Sequence, residues 1–134
     1  MAFTVSSALD LVQSAIRVGA ERGIQVAAAV VDAGGRLLAS ARSENAGFVN
    51  LTIAERKAVA AINFKAPTHG VLDMIKADPI LLGAVTTEPS LCVLPGGFPI
   101  VASGVVVGAL GLAGGHYMQD QAVGEEVLKM GPKG

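Results

Sequence analysis

Two cations and a pair of adjacent glycines are the positions in this chain that could hold an anion. Arg42 ends a segment with the pattern of a β-strand, and Lys57 lies in the helix predicted after the next loop. Gly96 and Gly97 fall in a predicted turn, where glycine allows positive φ and leaves backbone amides open to a ligand oxygen. Two cations near such a turn could bind a carboxylate or a phosphate. The alternative is a surface arginine, a lysine that packs along its stem, and a turn that only glycine can make.

Glu55 and His116 are the residues whose chemistry could move a proton. Glu55 follows Thr52 at the spacing of a capping box, in which the hydroxyl and the carboxylate bond the first free amides of a helix. If the carboxylate points into a pocket instead, Glu55 could act as a general base. His116 ends a predicted strand, a common place for a ligand-binding or acid–base residue, although a solvated loop histidine is the alternative. Neither His116 nor His69 has HExxH spacing or a cysteine cluster, so the sequence contains no metal-binding motif.

The longest uncharged stretch, residues 91–115, contains the strands that would position these groups. Its many glycines and its prolines disfavour a helix, whereas Val105-Val106-Val107 favours a pleated surface. Ala102-Ser103-Gly104 is typical of a turn, so the stretch predicts two buried antiparallel strands. The alternative is a transmembrane helix, which would also suit the length of the stretch.

Hydrophobic periodicity predicts the other elements in chain order. Amphipathic spacing indicates a first helix over residues 6–22 and a last helix over 119–130, with the apolar strands between them. Antiparallel strands and segregated helices together favour an α+β fold. The remaining predicted elements are strands at 25–32 and 36–42, a helix from 52 to about 64, a short helix at 69–77, an unassigned segment at 78–90, and a strand near 90–94.

Composition sets the class of protein. The 134 residues predict a single domain over 1–134, and only 16% of them are charged. A surface so poor in charge suggests that other subunits cover part of it, so we expect a homo-oligomer. A net charge of −1 without a basic run argues against nucleic-acid binding. The N-terminus lacks the basic region and long apolar core of a signal peptide, so we expect a cytoplasmic protein with no membrane contact.

Three stretches, followed by Asp120, resemble the GlcG/HbpS-like family, named for haem binding or haem degradation. They are VVDAGGRLLASAR (30–42), IAERKAVAAINFKAPT (53–68) and GGFPIVASGVVVGALGLAGG (96–115). The resemblance implies a profilin-like fold with a five-stranded antiparallel sheet flanked by helices, and homo-oligomers. It also implies haem as a possible cofactor, with functional positions at Arg42 and Lys57. The chain has Ser43-Glu44-Asn45 where the family often has Met-Asp-Gly, and Ala113-Gly114-Gly115 where it often has Ser-Gly-Gly.

Two functional hypotheses follow. The first is a protein that binds haem, a corrinoid or another small anionic metabolite in a pocket bounded by Arg42, Lys57, the Gly96-Gly97 turn and His116. The second is a cofactor-free isomerase, hydratase or lyase, in which a cation grips a carboxylate or enolate while Glu55 or His116 moves protons. Binding is favoured, because the sequence contains no nucleophile–base pair and no metal cluster.

Overall fold

The described part of the chain contains five helices and four strands. A computed structural model describes residues 3–131. The four strands form one antiparallel sheet, which confirms the α+β class. In chain order the elements are α1 (Val5–Glu21), β1 (Ala27–Asp32), β2 (Leu37–Arg42), α2 (Val49–Phe64), α3 (Thr68–Ile75), α4 (Pro79–Thr86), β3 (Gly97–Ala102), β4 (Val105–Ala113) and α5 (Tyr117–Met130).

The sheet has four strands in the order β2-β1-β4-β3, so the prediction of five strands was wrong. The predicted strand near 90–94 does not join the sheet. Its Cys92 amide donates instead to the carbonyl of Arg56 in α2, at 3.2 Å. Such a short apolar run is compatible both with a strand and with a segment that packs along a helix, and its sequence pattern does not decide between them.

The predicted hairpin within residues 91–115 is confirmed as β3 and β4. Ser103 and Gly104 form the turn, and both have positive φ, as a tight hairpin turn requires. Among the described residues, no helix is long and apolar enough to cross a membrane.

The two faces of the sheet differ in the size of their side chains. Leu110 and Leu112 point to the face covered by α1 and α5, where the larger core residues gather. The opposite face carries Ala27, Ala29 and Ala113, which pack on Ala54 of α2. Small residues on both surfaces let α2 lie close to the strands.

The start of α2 differs from the prediction. The helix begins at Val49, with Phe48 as a cap that makes no side-chain hydrogen bond. Thr52 and Glu55 therefore lie inside the helix, and the capping-box prediction was wrong. Leu51 and Ile53 are partly buried and pack against the alanine cluster on the sheet. This packing favours a helix that starts before the capping-box motif at Thr52.

Candidate functional site

A cleft opens at one end of the sheet, between α2, the end of β4 and the start of α5. We call it the Lys57–Asp120 cleft; its volume is about 300 Å³. Lys57 and Asp120 contribute its buried charges, and Tyr117 and His116 contribute exposed rings. Its other lining residues are Asn50, Ile53, Leu94, Ala113, Gly114 and Gly115.

Lys57 and Asp120 form a buried ion pair. The Lys57 Nζ lies 3.0 Å from Asp120 Oδ2 and donates a second hydrogen bond, 2.7 Å long, to the carbonyl of Leu112. Both side chains are almost fully buried, at 2% and 3% exposure. The pair therefore joins α2, β4 and α5, and Asp120 already neutralises the cation predicted to bind an anionic ligand.

Burial raises the pKa of the Asp120 carboxyl above its usual range, because desolvation disfavours the charged form. The Lys57 ammonium, the Gly115 amide and the His116 ring oppose this shift of the pKa. The amide of Gly115 donates to Asp120 Oδ1 at 3.0 Å. Asp120 is thus a carboxyl with several partners in a cleft, a setting that can also tune an acid or base.

His116 caps the N-terminus of α5. Its Nδ1 accepts a hydrogen bond from the Met118 amide at 3.1 Å, and its own amide donates to Gln119 Oε1 at 2.9 Å. A neutral imidazole whose Nδ1 accepts carries its proton on Nε2, so the free nitrogen is a hydrogen-bond donor. The ring lies 4.0 Å from that of Tyr117, centroid to centroid.

Arg42 lies at the same end of the sheet but not in the cleft. It pairs with Ala27, which pairs with Ala113, so two strand spacings of about 4.8 Å separate Arg42 from the cleft edge. Its Nη1 donates to the carbonyls of Ser43, Glu44 and Ala46 and so holds the following loop.

Gly96 and Gly97 are buried against α2 and do not line the cleft. The Gly97 amide donates to Thr68 Oγ1 at 2.8 Å, so it already has a partner. Gly96 has a φ of 125°, and a Cβ there would lie 2.9 Å from Lys57 Nζ. Both glycines thus permit close packing around Lys57, while a ligand-binding role for them stays a prediction.

Glu55 lies outside the Lys57–Asp120 cleft. It is half-buried and lines a separate concavity with Arg56, Pro89 and Ser90. The structure therefore brings together Lys57 and His116, but not Glu55, Arg42 or the Gly96-Gly97 turn. The ion pair between Asp120 and Lys57 was not predicted from the sequence. The one feature that drew attention to Asp120 was its place in the family resemblance.

The whole described core matches a known family. A family model described as haem degrading protein HbpS-like matches residues 3–129. The chain belongs to the HbpS-like family. The resemblance drawn from the three sequence stretches is thus confirmed, and the HbpS-like match includes both partners of the buried ion pair.

Relatives and solved structures share this HbpS-like architecture. An uncharacterized 15.0 kDa protein of the dhaT-dhaS intergenic region of Citrobacter freundii is 29% identical over 126 residues, which are 93% of this chain and 89% of that protein. A double mutant of HbpS from Streptomyces reticuli is 27% identical, with a TM-score of 0.86 over 97% of this chain and 87% of that one. A haem complex of PduOC, 24% identical, has a TM-score of 0.87 over 96% of this chain and 94% of that chain, and shows the same fold.

Proposed function

We propose that this chain binds a small anionic ligand (haem, a corrinoid or another carboxylate or phosphate metabolite) at the Lys57–Asp120 cleft. Membership of the HbpS-like family and the haem complex of PduOC support a binding role. The observation that supports this site is that Lys57, His116 and the backbone of Gly114 and Gly115 line the same cleft at one end of the sheet.

The anion is recognised at the mouth of the cleft. Asp120 compensates Lys57, so the other polar side chains of the cleft are the amide of Asn50 and, at the mouth, the Nε2–H of His116 and the phenol of Tyr117. His116 and Tyr117 stand at the N-terminus of α5, where the helix dipole favours negative charge and where Asp120 already supplies one carboxylate in the first turn. A carboxylate at the mouth would accept from His116 Nε2 while its apolar body contacts Ile53 and Leu94.

The cleft fits a carboxylate group better than the iron of a haem. An iron ligand must offer an unprotonated nitrogen, but Nε2 of His116 carries the proton while Nδ1 accepts from Met118. Ligation of iron by His116 would therefore require loss of the helix cap, which contributes about 1 kcal/mol. On this basis we expect His116 to recognise the porphyrin carboxylates and not the metal.

Exposed apolar side chains support the prediction of a homo-oligomer. Helix α4 has no buried residue, and its Ile80 is 86% exposed. Met74 of α3 is 63% exposed, and the segment Pro79–Thr86 carries no charge. Apolar surface of this kind is typical of contacts between subunits, so the proposed binding protein is expected to be an assembly of identical chains.

We expect haem and metal-free protoporphyrin to bind with dissociation constants within about three-fold of each other, since iron contributes no bond. His116→Ala should weaken the binding of both porphyrins by roughly ten- to one-hundred-fold, the loss of one hydrogen bond to a charged group. Absorbance titrations give both constants, and native mass spectrometry of the same samples gives the subunit count in multiples of 13.5 kDa.

Thr4→Ala is the matched control, because it also removes a side-chain helix cap, at the start of α1, and Thr4 does not line the Lys57–Asp120 cleft. It should leave both dissociation constants unchanged. Haem binding without porphyrin binding would contradict recognition by carboxylates. Failure of both porphyrins, followed by failure of smaller carboxylates and phosphates, would contradict the binding role itself.

A second candidate is a cofactor-free enzyme acting on an enolisable carboxylate. The observation that favours it is the partnered carboxyl of Asp120, whose pKa is raised by burial beside Lys57. Asp120, and not Glu55, then moves the proton, because Glu55 lies in a different concavity. Turnover without added cofactor, lost in Asp120→Asn and kept in Glu55→Gln, would support this function over simple binding.

A further inference from the structure

A second concavity lies between the start of α3, β3 and the last turns of α5. We call it the His69 groove; its volume is about 630 Å³, and it shares no lining residue with the Lys57–Asp120 cleft. Phe98 and Leu128 supply apolar surface together with two prolines. Its complete lining is Pro67, His69, Phe98, Pro99, Glu125, Leu128 and Lys129.

His69 contributes a hydrogen-bond donor to this groove. Its Nδ1 is buried and has no partner among the described residues, so the reachable nitrogen is Nε2. A proton on Nδ1 would be a buried N–H without a partner, which is rarer in folded proteins than an unpaired acceptor, so we place the proton of the neutral ring on Nε2. The ring packs edge-on to Phe98, with centroids 6.0 Å apart and planes inclined by 60°, which orients it.

The backbone adds positive potential beside His69. Pro67 caps α3 without a side-chain hydrogen bond, and the first turn contains no acidic residue. Thr68 is the first helical residue and does not occupy the cap position, and its hydroxyl accepts a hydrogen bond from the Gly97 amide. The positive end of the α3 dipole thus stays uncompensated next to the imidazole donor.

The two charged residues of the groove are not equivalent. Lys129 and Glu125 lie one turn apart on α5, and both are exposed. The Glu125 carboxylate accepts from Gln121 Nε2 at 3.3 Å, whereas Lys129 forms no ion pair with any residue in the range 3–131. The positive charge of the Lys129 ammonium, the imidazole N–H of His69 and the N-terminus of α3 together exceed the negative charge of the Glu125 carboxylate, which already has a partner.

We propose that the His69 groove binds a planar aromatic carboxylate. Its ring system lies against Phe98, Pro99 and Leu128, and its carboxylate accepts from His69 Nε2 and faces Lys129. This pairing of a flat apolar wall with a few convergent donors is the usual composition of a small-molecule site. The groove is independent of the proposed anion site, because the two concavities have no residue in common.

Binding of 2-naphthoate, compared with neutral 2-naphthamide, tests this site. Calorimetry should show the acid to be the tighter ligand, and amide chemical shifts should change around His69 and Lys129. We expect Lys129→Gln to weaken 2-naphthoate roughly three- to five-fold, and Glu125→Gln to strengthen it by a similar factor, as for exposed charge pairs. Neither substitution should change the affinity for 2-naphthamide.

Lys76→Gln provides the matched control, since it removes the same charge from a lysine outside the groove that pairs with Asp73. It should leave both affinities as they are. His69→Phe keeps an aromatic ring and removes the donor, and it should weaken the acid alone. Equal binding of acid and amide, an equal effect of Lys76→Gln and Lys129→Gln, or the absence of any shift in groove residues would overturn the proposal.

Discussion

Replacement of Lys57 with methionine should lower the free energy of unfolding by about 3–5 kcal/mol at pH 7, the usual effect of breaking a buried pair. Methionine fills most of the same space, so the loss comes from charge and not from a cavity. It leaves the carboxylate of Asp120 at 3% exposure without its cation, and the carbonyl of Leu112 without its donor. Urea unfolding of both proteins measures the difference.

The decrease in the free energy of unfolding caused by Lys57→Met should become larger as the pH rises. Without the cation, the folded-state pKa of Asp120, which burial already raises, moves further above the unfolded value of about 3.9. A carboxyl of this kind stabilises the fold fully below its unfolded pKa and loses that contribution as the pH rises through its folded pKa. The deficit of the variant should therefore be small in acid and grow toward neutral pH.

The double variant Lys57→Met/Asp120→Asn separates charge from shape. The asparagine amide can still accept from Gly115 while it removes the uncompensated carboxylate. We expect the double variant to recover more than about 1 kcal/mol of the lost free energy of unfolding at pH 7 and to abolish the pH dependence of that loss.

For comparison, Asp73→Asn breaks the exposed ion pair with Lys76 and should lower the free energy of unfolding by less than about 1 kcal/mol. A Lys57→Met protein as stable as the parent at pH 7 would show that the pair does not stabilise the fold.

Replacement of Gly111 with alanine should destabilise the protein by about 3 kcal/mol or more, although it adds a single methyl group. The new Cβ would overlap the carbonyl oxygen of Ala54 and lie 2.8 Å from the amide nitrogen of Ala58. Both atoms belong to the backbone of α2, so no side chain can rotate away. The helix would have to move off the sheet, and with it the position of Lys57.

Gly83→Ala is the opposite case. Gly83 lies in α4, and an added Cβ would have no neighbour within 4 Å. Alanine there should raise stability by roughly 0.5–1 kcal/mol, because it restricts the unfolded chain and favours a helix. Thermal unfolding of the two variants should thus shift in opposite directions. A Gly111→Ala protein that melts with the parent would contradict the close approach of α2 to β4.

Features that depend on neighbouring residues were well predicted from sequence. The hairpin turn at Ser103 and Gly104 and the amphipathic helices at both ends appear where their patterns indicated. Each of these signals arises from backbone propensity and periodicity over a few turns, which local free energy largely decides.

Predictions failed where a longer-range contact decided between two local options. The apolar run at 90–94 has the composition of a strand, but its Cys92 amide bonds to the Arg56 carbonyl of α2. Thr52 and Glu55 have the spacing of a cap, but α2 gains packing on the sheet by starting at Val49. In both cases tertiary packing outweighed a weak local preference.

The sequence by itself determined the fold class, the family and the presence of Lys57 and His116 as polar groups near glycine-rich strand ends. Only the tertiary structure decided what these groups do. Lys57 and Asp120 are 63 residues apart in the chain, and they meet because β4 leads directly into α5 beside α2. The role of His116 as a cap and the buried nitrogen of His69 likewise depend on which atoms the fold places within hydrogen-bond distance. Desolvation and hydrogen bonding act through space, so residue type and spacing alone cannot specify them.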